Sequence, residues 1–276
     1  MSLRVLLPIM TYPDATPTLS LPRAVDLAAT LRAHVTAVVH EVDIPPITNP
    51  VADFLVHLQR EAAAAERSSR ERGEQVGEEL KLLCSRLGVP LALERLRAQR
   101  PCGEAIAAKA RAFDLTMLVC RPDSPDHALL EQDVLFGSGG PVVVFPARDA
   151  PAQIETVAIA WDGSRAAARA VRDAIPLLRQ AGKVRLLTCT QDKPIGPRSI
   201  DGVTELLASH EVEVKHVPVD LDNQPVGDAL QAAAMAQDAG LMIMGAYGHS
   251  RFREFIMGGA TTSALTSPKL PLFMSH

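Results

Sequence analysis

Cysteine is sparse in this chain, and its local spacing builds no site, which leaves only a cluster assembled by the fold. Cys84, Cys102, Cys120 and Cys189 form no Cys-x-x-Cys pair and no Cys/His cluster at zinc spacing. No zinc site is therefore encoded locally, and free thiols in a reducing cytoplasm are expected. Long apolar runs are missing too. The segment Arg4 to Ile9 is too short for a signal-peptide core or for a membrane span of about 20 residues, so neither export nor membrane insertion is expected. There is no excess of positive charge: 28 Lys and Arg stand against 32 Asp and Glu, for a net charge of −4. The basic residues are interspersed with acidic ones rather than gathered where they would neutralise phosphates, which excludes nucleic acid as the expected partner. No Gly-x-Gly-x-x-Gly follows the first strand and no Gly-x4-Gly-Lys-Ser/Thr occurs, which argues against dinucleotide-dependent and kinase-like chemistry. Ser164 and Cys102 have no His and acid at local spacing to activate them, and no general base or metal-binding carboxylate pair stands out.

What is present is an ordinary globular composition, 47% hydrophobic and 22% charged, able to bury a core. The 276 residues suit two domains of roughly 100 to 150 residues each. Two segments read as buried first strands, Arg4-Val-Leu-Leu-Pro-Ile9 and Thr156-Val-Ala-Ile-Ala-Trp161. After each, the same rhythm follows: helices over 19–31 and 165–181, strands over 34–40 and 184–190, helices over 53–87 and 199–210, strands over 90–96 and 212–217. Short helices over 103–112 and 227–239 lead to fourth strands over 115–120 and 241–244, and fifth strands lie at 141–145 and 271–274. Strands alternating with helices imply parallel sheets with right-handed crossovers. The polar, Pro-containing stretch Arg148 to Gln153 marks the joint, giving units 1–148 and 153–276. In the first unit the charged run around Glu61 to Glu74 reads as the solvated face of a long helix.

The densest functional signal lies after the fourth strand of the second unit: Gly245-Ala-Tyr-Gly248-His249, then Gly258-Gly259-Ala-Thr261-Thr262 leading into a helix from Gly259 through Leu265. Glycines let backbone approach an anion, and the free amides of a following helix N-terminus favour negative charge. The bland alternative is a strand end and a turn. His249, Arg251 and Arg253 in the same loop could meet a terminal phosphate or keep the loop soluble. Asp162, just past the strand Thr156 to Trp161, reads either as a ligand residue or as a helix cap with Ser164.

The spacing Gly-x2-Gly-x9-Gly after a strand, with Asp162-Gly-Ser164 after the first strand, resembles the ATP-binding universal stress proteins, and the resemblance covers nearly the whole chain as two copies. It implies an α/β fold of two tandem doubly wound five-stranded parallel sheets, each of strand order 3-2-1-4-5, with ligand at the switch between the first and fourth strands. Asp162 and the second-strand end from Thr188 to Thr190 would face adenine or ribose; Gly245, Gly248 and Gly258 would surround ribose and phosphates. In ATP-binding members Ser or Thr follows the last motif glycine, where this chain has Gly259: the amide survives, and a hydroxyl has to come from Thr261 or Thr262. The implied ligand is ATP or a related adenine nucleotide, with magnesium, bound rather than turned over except for slow hydrolysis by trapped water.

The first unit lacks Asp-Gly-Ser after its first strand, with Asp14 as the nearest substitute acid, and its fourth strand ends Cys120-Arg-Pro-Asp without the glycine signature. Gly137-Ser138-Gly139-Gly140 reads as a tight turn with little room for a phosphate-loop helix, so this unit is expected to have lost its nucleotide site. The apolar fifth strands need covering, and pairing them within one chain would make a pseudo-dimer, with a homodimer of chains left open. The competing functional reading is a ligand-free scaffold that binds an unknown protein partner.

Overall fold

The structure is a computed structural model and describes residues 2–45, 52–147, 154–191, 194–246 and 259–276. In the first half the order is β1 (Arg4–Met10), α1 (Leu21–Thr30), β2 (His34–Val42), α2 (Ala52–Leu87), β3 (Leu91–Ala98), α3 (Gly103–Ala110), β4 (Leu115–Val119), α4 (Pro125–Gly137) and β5 (Val142–Phe145). The second half repeats it: β6 (Thr156–Ala160), α5 (Arg165–Asp173), α6 (Ile175–Leu178), β7 (Lys183–Thr188), α7 (Pro197–Ser209), β8 (Val214–Pro218), α8 (Val226–Ala236), β9 (Ala239–Gly245), α9 (Gly259–Thr266) and β10 (Leu272–Ser275).

The ten strands of the described residues join one sheet in the order β3-β2-β1-β4-β5-β10-β9-β6-β7-β8. Each half is thus a doubly wound parallel sheet of the order 3-2-1-4-5, and the two meet through their fifth strands. That junction is antiparallel, with Val142 opposite Met274, Val143 opposite Phe273 and Val144 opposite Leu272. Every one of these side chains is buried, which explains the apolar character of both strands: neither is an edge. The true edges are β3 and β8, whose residues are all exposed or half-buried, as expected for strands at the rim of a sheet.

Two apolar layers cover the faces, and each runs through both halves. Val5, Leu7 and Ile9 of β1 share one layer with α1, α2, α5 and α7, together with Val157 and Ile159 of β6. Leu6 and Met10 share the other with α3, α4, α8 and α9, together with Ala158 and Ala160. Alternation along each strand sends successive side chains to opposite layers.

Two elements differ from the sequence expectation. The helix expected over 165–181 is broken at Ala174 into α5 and α6, because Pro176 has no N–H to continue the ladder and its ring crowds the preceding turn. The expectation of little room before β5 fails: α4 fills thirteen residues between β4 and β5, started by Ser124, whose hydroxyl accepts from the His127 amide, with Pro125 in the first turn. The glycine turn lies after this helix, where Gly139 adopts φ +71°, a left-handed conformation that suits a helix exit.

Candidate functional site

The switch point of the second half lies between β6 and β9. The helix after β6, α5, goes to one face of the sheet, and the helix after β9, α9, goes to the other, so the strand ends open a crevice where the helices part. In the register Ala160 is opposite Met244. Asp162 and Gly245 therefore stand on its two sides.

Asp162 Oδ1 accepts from the Ser164 amide at 2.9 Å, and Ser164 Oγ accepts from the Ala167 amide at 3.1 Å. Ser164 is thus the N-cap of α5, while Asp162 organises the turn before it. Gly163 between them has φ +73°, a conformation costly for side-chain-bearing residues. Gly245 is held by a close approach: a Cβ there would lie 2.4 Å from the Ala167 nitrogen and 2.6 Å from the Ala166 carbonyl carbon. The end of β9 thus touches the backbone of the first turn of α5, which only glycine permits.

The remaining walls come from β7 and α7. Thr188 is buried, and its hydroxyl shares a 2.8 Å hydrogen bond with His216 Nε2 of the edge strand β8. Trp161 is buried after β6, with Nε1 donating to Ser199 Oγ of α7 at 3.1 Å. Neither His216 nor Ser199 is legible as a wall residue from sequence, since each meets its partner across 28 or 38 residues of chain. Thr261 is buried on the first turns of α9. Gly248, His249 and Gly258, along with Tyr247, Arg251 and Arg253, lie outside the described residues, and of Gly259 only the backbone is described. The structure thus brings Asp162, Thr188 and Gly245 to one end of the sheet and places Thr261 on the helix that follows.

Residues 153–276 match the family model described as universal stress protein family. That match spans the C-terminal half of the chain. The fold likeness extends further: a universal stress protein from Archaeoglobus fulgidus DSM 4304 is similar over 100% of this chain and 96% of its own, with TM-score 0.71 and 16% identity. A functionally unknown protein from Pseudomonas aeruginosa PAO1 is similar over 99% of this chain and 92% of its own, with TM-score 0.58 and 15% identity. At such identities these two structures speak for the fold. Among curated proteins nothing matches.

The corresponding crevice in the first half is occupied by its own chain. Residues after β1 fold back so that the Met10 amide donates to Thr16 Oγ1 and the Thr16 amide donates to the Met10 carbonyl, both at 2.8 Å. Arg121, just past β4, donates to the Ala15 carbonyl at 3.2 Å and approaches Asp14 at 3.5 Å. His127 of α4 bonds the Asp14 carbonyl at 3.0 Å. Asp14 therefore faces a guanidinium of the same chain. Thr11 donates to the His40 carbonyl and shares a second 2.6 Å hydrogen bond with Ser69.

One buried acid here is unlike the rest. Glu131 of α4 is buried, its Oε1 meets no hydrogen-bonding partner, and burial pushes its carboxyl up to about 7, against a smaller opposing effect of the Cys120 thiol. Cys120 Sγ also reaches the Leu265 carbonyl of α9 at 3.6 Å, so this acid lies beside a contact between the two halves. Its folded pKa lies above the unfolded value, so the folded chain holds more protons between the two, and stability falls as pH rises through that window. Glu131→Gln is expected to unfold at higher denaturant than the wild type at pH 8, by about 1–3 kcal/mol, with the gap closing by pH 4. Paired denaturation curves at the two pH values check this; a gap independent of pH would contradict it.

Proposed function

We propose that the chain binds an adenine nucleotide, ATP with magnesium, in the C-terminal crevice and acts through occupancy rather than turnover. The observation that carries this reading is the placement of Asp162 and Gly245 on opposite sides of the β6/β9 switch point, where open α/β sheets take ligands. The chain leaving Gly245 is the glycine-rich segment that ends at the start of α9, the arrangement suited to phosphate on backbone amides. On this reading Asp162 and Thr188 face the base and ribose, Gly245, Gly248 and Gly258 surround ribose and phosphates, His249 reaches the terminal phosphate, and Gly259 contributes its amide. Thr261 supplies the hydroxyl that Gly259 lacks.

The units are 1–148 and 153–276, the first having lost its nucleotide site; the Arg121 and Asp14 contacts that fill its crevice support this. Four free, buried cysteines suit a reducing cytoplasm, and no helix among the described residues is long and apolar enough to cross a membrane. A second reading, a ligand-free scaffold for a protein partner, draws on the structural duties of Gly245 against α5 and of Thr188 against His216.

Isothermal titration of nucleotide-stripped protein with ATP and magnesium separates the two. Saturable binding at one site per chain is expected, with at least a tenfold loss in Gly248→Asp, which sets a carboxylate where phosphate would lie. A folded wild type that takes up no ATP at millimolar concentration leaves the scaffold reading standing alone.

A further inference from the structure

A second constellation stands on the other half of the molecule, away from the nucleotide crevice. Met10 ends β1 and His40 is its register partner on β2, so their backbones lie about 5 Å apart. Both belong to positions that face α3 and α4, in line with Leu6 of β1 and Val38 of β2 in that apolar layer. Cys102, the residue before α3, brings its Sγ to 3.6 Å from Met10 Sδ. All three residues are buried: His40 is 0% exposed, Met10 3% and Cys102 4%.

His40 supplies the observation that points to a ligand. Its Nε2 lies 3.0 Å from the Ala98 carbonyl, which can only accept, so Nε2 carries the proton and Nδ1 carries a lone pair. That Nδ1 is buried and meets no hydrogen-bonding partner. An imidazole oriented by a backbone carbonyl through one nitrogen, with the other left free, is the arrangement found at metal-ligating histidines.

We propose that Met10, His40 and Cys102 form a site for a single soft monovalent metal ion, Cu(I). The donors are one thioether, one imidazole and one thiolate, a soft set that selects Cu(I) over oxygen-seeking cations. With metal–sulfur bonds of about 2.3 Å, as in thiolate-bound zinc, sulfurs 3.6 Å apart subtend an angle of about 100° at the metal, so the pair spans an ion with little movement. Charge selects the valence. Cu(I) replaces the thiol proton, Cys102–SH plus Cu⁺ giving Cys102–S–Cu plus H⁺, and with neutral Met10 and His40 the buried site carries no net charge. A divalent ion at the same donors would leave one uncompensated positive charge in the apolar layer, a large desolvation cost. Among the described residues no group of three or more His, Cys, Asp or Glu could hold a metal, and it is the methionine that completes this one.

Full-length protein is titrated anaerobically with Cu(I) held by a chromophoric chelator, and the loaded protein is read by X-ray absorption. One Cu(I) per chain is expected, with two sulfur donors and one nitrogen in its first shell. Met10→Leu, which keeps the volume, is expected to weaken binding at least tenfold and leave one sulfur; Cys102→Ala is expected to abolish it. Cys84→Ala, whose thiol lies in the opposite layer, is expected to bind as the wild type does. Failure of the wild type to take Cu(I) from the chelator, undiminished affinity in Met10→Leu, or a first shell without nitrogen would each overturn the proposal. Should Met10→Leu not fold, the wild-type first shell decides alone.

Discussion

Gly245→Ala is expected to destabilise the folded chain by about 3 kcal/mol, the upper end of what one inserted methyl group does in a packed site. The added Cβ would stand 2.4 Å from the Ala167 nitrogen and 2.6 Å from the Ala166 carbonyl carbon. Both atoms are backbone, so no side-chain rotation relieves the contact: either α5 moves away from β9 or β9 bends. The first choice disturbs the turn that Asp162 and Ser164 hold, and with it one wall of the crevice. Equilibrium denaturation measures the effect as a lower midpoint at unchanged slope. A loss below about 0.5 kcal/mol, the scale of a neutral surface change, would mean that this contact relaxes without resistance. Comparing nucleotide affinity in Gly245→Ala and Gly248→Asp separates a collapsed wall from a blocked phosphate position.

The second large effect is expected at the junction of the halves. Phe145 ends β5, is 0% exposed, and belongs to the layer that also holds Phe273 of β10. Phe145→Ala is expected to cost about 3–5 kcal/mol, from lost transfer energy and the cavity left behind. The manner of unfolding is as informative as its midpoint. Since β5 and β10 pair inside one sheet and both apolar layers are continuous across them, the wild type is expected to unfold in a single transition seen equally by tryptophan fluorescence and by far-ultraviolet circular dichroism. Trp161 is the chain's one tryptophan and belongs to the second half, so fluorescence reports that half and circular dichroism the whole. Separate transitions would show that the halves fold as independent units and that the junction adds little.

These effects come from different links of the same chain of causes. At Gly245 a backbone close approach shapes the crevice; at Phe145 burial of an aromatic side chain joins two repeats into one body. The copper proposal rests on a third, the chance that the ends of β1 and β2 give for side chains of distant residues to share one face. The nucleotide and metal readings use separate residues and opposite halves, so the failure of either leaves the other standing.

The alternation of strands and helices, the doubling of the unit and the position of the glycine-rich stretch were all legible in the amino-acid sequence, because hydrophobic periodicity and glycine spacing are local properties. So was Asp162 beside Ser164, a capping arrangement three residues deep. The helix α4 was marked by Ser124 and Pro125 yet hidden behind the glycines that follow it, and Pro176 was a visible breaker inside a stretch that otherwise reads as one helix. What only the tertiary structure decided involves residues far apart in the chain: the antiparallel meeting of β5 with β10, the pairing of Thr188 with His216 and of Trp161 with Ser199, the Arg121 contacts that fill the first crevice, and the approach of Cys102 to Met10. None of these leaves a local signature, since a strand's apolar pattern states which face is buried and not which strand lies beside it. Register and topology bring such residues together, and they are settled by the packing of the whole sheet.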